Sequence, residues 1–271
     1  MMQQLKFKKE TEFVQTEVGA IPKGWNIKKL RDIISYRKGA KPSVLYDFPC
    51  ENCLPYLTAE YLRGEENPKY APIIGKKLVI ADENKIILIW DGSNAGDVFM
   101  GFKGIVASTM VLIEAKSRDV DPRFLYYQLL IKSQILKNMT KGTGIPHVSK
   151  DIFENLLIPV PPLDEQRRIV EVLSVFDQAI MVVNQVLERL QRVRMAMLNT
   201  LMTRGIGHKE FKDTEIGKIP KEWEIKRLEE ISSIIMGQSP PSSAYNTNNE
   251  GLPFIQGSES FGDIYPVAKI S

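Results

Sequence analysis

The longest hydrophobic pattern in the chain runs through residues 164–204, where apolar residues recur at alternating spacings of four and three. They occupy positions 169, 173, 176, 180, 183, 187, 190, 197 and 201, with a single miss at Arg194. This spacing predicts an amphipathic helix of about 40 residues with a coiled-coil seam. Asp164 is the expected N-cap, and Gly205 is expected to end the helix.

A helix of this length would be roughly 60 Å long. Because only one stripe of it is apolar, we expect it to pair with another helix, from this chain or from another molecule. The residues expected to form the pairing surface are Ile169, Leu173, Phe176, Ile180, Val183, Leu187 and Leu190.

The segment before this helix predicts a compact, β-rich α+β domain. Residues 85–90 are apolar and precede an Asp91-Gly92 turn signal, and residues 98–102 and 104–114 are further strand candidates. Residues 122–139 predict a helix whose buried face is expected to hold Phe124, Tyr127, Leu130, Ile131, Ile135 and Leu136. The proline-rich residues 158–163 predict an extended lead-in to the long helix.

A repeat with an offset of 198 residues relates the two ends of the chain. Residues 16–30 and 214–228 are identical at ten of fifteen positions, and Gly39 and Gly237 keep the same register. An offset this large indicates a duplicated domain rather than a solenoid. We therefore expect one complete unit, a helical connector and the opening of a second unit. Trp25 and Trp223 lie inside the repeat and are expected to be core anchors.

The composition is that of an ordinary soluble protein, with 43% hydrophobic and 25% charged residues. The N-terminal residues have no apolar signal-peptide core, and no uninterrupted apolar run reaches the length of a membrane span. A cytoplasmic location is therefore expected. The net charge is only +3, but residues 21–47 and 122–150 are basic. They suit either a nucleic-acid surface or scattered solvated side chains.

Motifs for catalysis are missing from the sequence. We find no phosphate-binding loop, no dinucleotide fingerprint and no Asn/Asp-Pro-Pro-aromatic tetrapeptide of amino-methyltransferases. Glu83 and Lys85 form an E-x-K pattern, but no acidic partner precedes it, so a nuclease metal site is disfavoured. We therefore expect that the chain is not an enzyme and that it holds no metal ion or cofactor.

Cys50 and Cys53 form a C-x-x-C pattern with two interpretations. The pair would supply only half of a structural zinc site, and the other ligands would have to be the distant His147 and His208. Reduced thiols in a loop are therefore the favoured interpretation.

Two stretches of the chain are distinctive, Ile21-Pro-Lys-Gly-Trp25 with its repeat at residues 219–223, and residues 161–170 (PPLDEQRRIV). Through them the sequence bears a resemblance to the specificity (S) subunits of type I restriction-modification systems. Asp91-Gly92-Ser93 and the Gly-Thr-Gly loop before His147 add to it. The resemblance implies a first target recognition domain at 1–158, a conserved spacer helix at 159–205 and an incomplete second recognition domain at 206–271.

The resemblance also implies a non-catalytic subunit that recognises one half of a bipartite DNA target. Its partners would be double-stranded DNA, modification (M) subunits and, through them, restriction (R) subunits. The outer face of the spacer helix, including Arg167, Arg168 and Arg192, would contact the M subunit. Helix length would set the separation of the half-sites.

Two loops are the favoured DNA contacts, residues 37–46 and 141–150. Phosphate contacts are expected from Lys38, Lys41, Lys141 and Lys150, since lysines position a protein on DNA without specifying sequence. Candidate base-contacting residues are Ser43, Tyr46, Thr58, Thr143, His147 and Ser149. For each of these residues, an ordinary surface role remains the alternative.

Two further hypotheses stay open. In the first, the chain serves instead as a coiled-coil scaffold that binds proteins and not specific DNA. In addition, one recognition domain with one pairing helix is suited to homodimerisation, which would rebuild a two-domain assembly with a symmetric target.

Overall fold

The computed structural model describes residues 12–74, 78–138, 146–246, 248, 251–252 and 254–255. The strands are β1 (Phe13–Thr16), β2 (Gly19–Pro22), β3 (Asn26–Lys29), β4 (Ile34–Lys38), β5 (Cys53–Leu57), β6 (Lys69–Pro72), β7 (Ile80–Ala81), β8 (Ile86–Ile89), β9 (Val98–Met100), β10 (Gly104–Val106), β11 (Met110–Ala115), β12 (Leu157–Val160), β13 (Phe211–Thr214) and β14 (Gly217–Pro220). The helices are α1 (Leu30–Ile33), α2 (Ala59–Leu62), α3 (Pro122–Asn138), α4 (Lys150–Asn155), α5 (Leu163–Arg204) and α6 (Leu228–Ile231), with a 3₁₀ turn at Ser242–Ala244. The chain divides into two compact units, Met1–Glu188 and Arg189–Ser271.

The first unit is built on an antiparallel sheet with the order β4-β11-β8-β9. All four residues of β8 are buried. Ile86 and Leu88 pack in one core cluster with side chains of α3 and α4, whereas Ile87 and Ile89 pack in a second cluster. Because successive side chains of a strand point to opposite faces, a strand covered on both faces has a continuous apolar sequence. This explains the uninterrupted run that predicted β8.

A second sheet, with the order β6-β5-β10-β7, covers one face of the first. The prediction of a single strand over residues 104–114 is wrong. Gly104–Val106 pairs with β5 and β7, whereas Met110–Ala115 pairs with β4 and β8. The chain moves from one sheet to the other between these two strands. It does so in a tight turn, in which the Met110 N–H donates to the Ala107 carbonyl.

Helix α3 confirms the predicted helix, but its predicted buried face is only partly correct. Phe124 and Leu136 are buried, together with Leu125 and Leu129, which the periodicity missed. The large side chains expected inside but found exposed are Leu130, Ile131 and Ile135. The helix is apolar on more than one side, so the periodicity alone could not choose the side that faces the sheet.

The opening of the repeat folds in the same way in both units. The hairpin β1–β2 pairs Phe13 with Pro22, and the hairpin β13–β14 pairs Phe211 with Pro220. In each hairpin a threonine hydroxyl donates to a glycine carbonyl, at 2.6 Å for Thr16 and 2.5 Å for Thr214. The internal repeat therefore holds at the level of individual hydrogen bonds within this hairpin.

The two repeated tryptophans are half-buried, so the expectation that they are core residues is wrong. Trp25 donates from Nε1 to Oε2 of Glu165, at 3.2 Å, in the first turn of α5. Trp223 packs edge-on against His208 with a ring-centroid distance of 6.1 Å. Each ring thus lies beside a polar partner that a fully enclosed apolar core would not provide.

Helix α5 spans 42 residues, Leu163–Arg204, and ends where Gly205 adopts a φ of +63°. The expected end is confirmed, because a left-handed residue after a helix favours glycine. The expected N-cap at Asp164 is wrong by two residues, since α5 begins at Leu163 and Pro162 precedes it. The carbonyl of Pro162 accepts from the N–H groups of both Glu165 and Gln166, so the helix already includes Leu163.

Cys50 and Cys53 are joined by a disulfide, which corrects the expectation of reduced thiols. The N–H of Cys53 donates to the carbonyl of Cys50, and Asn52 between them has a φ of +58°. This tight turn brings the two side chains together, and C-x-x-C spacing alone does not reveal it.

A three-residue ion cluster on the sheet predicts a pH-dependent contribution to stability. Glu114 accepts from Lys85 at 2.7 Å and from Arg37 at 3.2 Å. The hydrogen bond from Lys85, followed by the charges of Lys85 and Arg37, holds the pKa of Glu114 below its ordinary value against the opposing effect of burial. A carboxyl with a depressed folded-state pKa stabilises the fold above the pH where an ordinary glutamate titrates, and this contribution is lost as pH falls.

Replacing the carboxylate, Glu114→Gln, is therefore expected to lower the free energy of unfolding at neutral pH. The loss should be at most about 1 kcal/mol, because solvent screens a partly exposed pair. Urea titrations of both proteins at about pH 7 and about pH 3 should show the difference shrinking at the lower pH. A difference of constant size would contradict the ion-pair origin of this contribution.

Candidate nucleic-acid interface

A polar cleft of about 310 Å³ opens at the end of β8 in the first unit. It lies between the start of α2, the turn that follows β8 and the turn between β10 and β11. Its polar lining residues are Thr58, Glu60, Asp91, Ser93, Asn94, Ser108 and Thr109. Hydroxyl, amide and carboxylate groups can donate to or accept from the base edges of DNA, so this lining has the chemistry that base recognition needs.

Backbone hydrogen bonds fix the turn that carries Asp91 and Ser93. The N–H groups of Trp90 and Asp91 both donate to the carbonyl of Thr109, at 2.8 and 3.0 Å. From the other side, the Gly92 N–H donates to the Pro146 carbonyl, at 2.9 Å. Asp91 and His147 form an isolated β-bridge. The loop that leads into α4 is therefore attached to the rim of the cleft.

A basic side chain neutralises the acidic residue at the rim. Lys38, the last residue of β4, places Nζ 2.8 Å from Oδ2 of Asp91. The following residues continue across the end of the sheet, because the Gly39 N–H donates to Met110 and the Ala40 N–H donates to Val106. The basic loop 37–46 and the cleft thus belong to one end of the domain.

An aromatic cluster supports the turn from below. Tyr36 stacks on Trp90 at a centroid distance of 5.6 Å, and Phe153 of α4 packs edge-on against both rings. Burial, together with a hydrogen bond of 2.8 Å to Glu154, raises the pKa of Tyr36 to about 12. The phenol therefore stays neutral and holds α4 and the sheet together beneath the cleft.

The structure brings together three of the ten predicted DNA contacts, namely Lys38, Thr58 and His147, around Asp91. Lys41 and Ser43 are exposed in the basic loop. Lys150 is exposed on α4, with Nζ 3.8 Å from Glu154. Lys141 and Thr143 lie outside the described residues.

Three of the predicted base-contacting residues either make other contacts in the fold or are buried. Thr58 is the N-cap of α2, where its Oγ1 accepts from the Tyr61 N–H at 3.2 Å. Tyr46 pairs through its backbone with Tyr70 of β6 and is not among the residues that line the cleft. Ser149 is only 4% exposed, so its hydroxyl cannot reach a base edge, and we remove it from the candidates.

Six of the seven polar residues that line the cleft were not predicted as DNA contacts, namely Ser93, Asn94, Ser108, Thr109, Asp91 and Glu60. The first two follow the Asp91-Gly92 turn signal, which marked a loop after a buried strand and was the available clue. Ser108 and Thr109 were assigned to a continuous strand, so their exposure in a turn was hidden. Within the described ranges, no three His, Cys, Asp or Glu residues are close enough to hold a metal ion.

The seam of α5 is a second candidate functional surface. Its predicted residues beyond Ile169 are exposed, including Leu173 at 36% and Leu187 at 53%, and the exposed apolar face continues through Leu190. By length and composition alone, α5 could also cross a membrane, with a mean hydropathy of 1.5 in its most apolar stretch. The sequence expectation counted uninterrupted apolar runs and therefore missed this property, which is weak evidence for a membrane span.

A protein-family comparison matches residues 22–192 to the type I restriction modification DNA specificity domain. The chain is 44% identical to the type I restriction enzyme MjaVIII specificity subunit of Methanocaldococcus jannaschii, over 86% of this chain and 55% of that protein. It is 34% identical to the putative MjaX specificity subunit of the same organism, over 97% of this chain and 66% of that protein. This chain thus spans between about half and two thirds of the length of these relatives.

A comparison with solved structures matches the HsdS subunit from Thermoanaerobacter tengcongensis. The two chains are 23% identical, with a TM-score of 0.43, over 95% of this chain and 67% of that one.

Proposed function

The chain belongs to the type I restriction modification DNA specificity family, and from this premise we propose that it recognises one half of a bipartite DNA target without catalysing a reaction itself. In this proposal it docks M subunits and, through them, R subunits, and it acts in the cytoplasm. Methyl transfer and cleavage belong to those partners. The names of the related specificity subunits and the missing catalytic motifs support this assignment.

The observation that carries the DNA-binding proposal is the polar cleft beside the basic loop. Ser93, Ser108 and Thr109 are exposed at its mouth, where hydroxyls can contact base edges. Lys41 is exposed on the neighbouring loop and is suited to a phosphate contact. Phosphate contacts set the register on the duplex, whereas base contacts supply specificity, so the two kinds of group belong together.

We also propose that α5 pairs with the same helix of a second copy in antiparallel orientation. Residues 164–177 hold four acids and two arginines, whereas residues 188–204 hold one acid and four arginines. Antiparallel packing places the acidic half of one helix beside the basic half of the other, and complementary flanking charges favour that orientation. Such a dimer has two recognition domains and a symmetric target.

The function is tested by purifying the chain with its modification subunit and selecting bound sequences from random duplexes. A split motif with a constant gap, whose binding weakens steeply with salt, is the expected result. Enrichment of no motif, together with stable protein partners on the helix, would instead favour the scaffold function.

Within the cleft, Asn94→Ala is expected to weaken binding to the selected sequence about tenfold to a hundredfold, because one good base contact contributes about 1–3 kcal/mol. Binding to unrelated duplexes should stay unchanged. Asn84→Ala is the matched control, since Asn84 is exposed at the opposite end of β8. Fluorescence anisotropy measures the affinity of each variant for the selected duplex and for unrelated duplexes. Equal effects of the two substitutions would exclude Asn94 from base recognition.

Lys41→Ala should behave differently from the cleft variant. Loss of one phosphate contact is expected to weaken binding to all duplexes alike and to reduce the slope of log affinity against log salt by about one. A sequence-selective loss in the same anisotropy assay would instead make Lys41 a base contact.

A further inference from the structure

A fully buried glutamine lies at the start of α5. The exposed fraction of Gln166 is 0%. Its Oε1 accepts from the Asp121 N–H at 2.9 Å. Its Nε2 donates to the carbonyls of Asp119 and Pro161, each at 2.8 Å. The oxygen and both amide hydrogens are thus used, and only one orientation of the side chain satisfies all three partners.

These hydrogen bonds connect the starts of two helices. Pro161 lies two residues before α5, and Asp121 directly precedes α3. The carboxylate of Asp121 in turn accepts from the N–H groups of Arg123 and Phe124, at 2.9 and 3.2 Å, so it caps α3. Gln166 therefore joins the capped end of a helix that packs on the central sheet to the first turn of the long helix.

Two further contacts hold α5, one in its first turn and one three turns later, against other elements of the first unit. Glu165 accepts from Trp25 Nε1. Three turns later, Asp177 accepts from the hydroxyl of Tyr127 in α3 at 2.5 Å. Val170 between them is buried, whereas Phe176 and Ile180 are largely exposed. The first four turns of α5 are thus built into the recognition domain. Of the three α5 residues that make these hydrogen bonds, Glu165, Gln166 and Asp177, Gln166 is the buried one.

We propose that Gln166 is a positioning residue that sets the direction of α5 relative to the DNA-binding face and thereby the gap between the two half-sites. This inference rests on the proposed function. A buried amide with three partners defines an angle, whereas an apolar contact tolerates rotation. Along a helix of about 60 Å, a tilt of only about 3° moves the far end by roughly one base-pair rise. If the direction of α5 is less tightly fixed, the gap between the half-sites therefore changes.

The experiment repeats the random-duplex selection on the complex with the modification subunit, using Gln166→Met. Methionine keeps the length of the side chain but removes both donors and the acceptor. We expect the half-site sequences to be retained while gaps one base pair longer and shorter become enriched at least about tenfold relative to the native chain. Gln185→Met is the matched control, since Gln185 is exposed on the same helix and opposite the seam.

An unchanged single gap for Gln166→Met overturns the inference. If this variant does not fold, Tyr127→Phe provides the test, because it removes only the exposed hydroxyl contact to Asp177. A broader gap for Tyr127→Phe then supports the control of helix direction by these contacts, and an unchanged gap overturns it. Absence of any motif for the native complex would refute the proposed function itself, so the two failures are distinguishable.

Discussion

The double variant Leu173→Glu, Leu187→Glu is expected to be monomeric under conditions in which the native chain pairs through α5. Both side chains are substantially exposed in the single chain, so their replacement removes little from the monomer fold. Burying a large apolar side chain in a helix interface contributes about 1.5–3 kcal/mol, and two such losses weaken association by at least about a hundredfold. Buried glutamates add a desolvation penalty. Sedimentation velocity measures the change, and circular dichroism reports on the helix.

The matched control is Gln178→Glu, Gln185→Glu. It adds the same two charges to the same helix, but at exposed positions opposite the seam. This control should pair as the native chain does. A native chain that sediments as a monomer at about ten micromolar would contradict the proposed homodimer. A seam variant that still pairs would place the interface elsewhere.

The Gly39→Ala substitution is expected to destabilise the first unit by about 3 kcal/mol, at the upper end of overpacking effects. A Cβ atom on Gly39 would lie 2.2 Å from the carbonyl oxygen of Ala107 and 2.3 Å from that of Val106. Both obstacles are backbone atoms. The Gly39 N–H also donates to Met110 at 2.9 Å, so the chain cannot shift without breaking a sheet contact. Urea denaturation measures the loss.

Gly237→Ala is the matched control for this prediction. Gly237 holds the equivalent position of the internal repeat, yet a Cβ built there meets no atom of the described structure within 4 Å. Its replacement should therefore change the free energy of unfolding by no more than about 0.5 kcal/mol. Equal losses at the two glycines would show that the repeat, and not the contact with β10 and β11, makes Gly39 necessary.

Hydrogen bonds and burial explain why sequence analysis succeeded for some elements and failed for others. The buried run of β8 and the periodicity of α5 are local signals, and each identified its element within about two residues. The exposed apolar face of α3 and the split of residues 104–114 into two strands depend on which surface each segment meets. The spacing of apolar residues within a segment does not determine which surface that segment meets.

The candidate site was likewise predictable from the sequence only in its local features. The basic loop and the Asp91-Gly92 turn were visible as composition and turn chemistry. Their assembly into a cleft was not, because Thr58, Ser93 and Ser108 come from three segments that only the two packed sheets bring together. Ser149 was a candidate by residue type alone, and its burial against the core removed it.

The sequence by itself determined the family, the internal repeat of residues 16–30 and the long helix with its apolar seam, because each is expressed as a pattern of residue types along the chain. The tertiary structure alone decided the disulfide of Cys50 and Cys53, the cleft and the role of Gln166. These features depend on distances between residues far apart in sequence or on a local turn geometry. Gln166 shows this most clearly, since all three of its partners are backbone groups, whose positions are set by the fold and not by residue type.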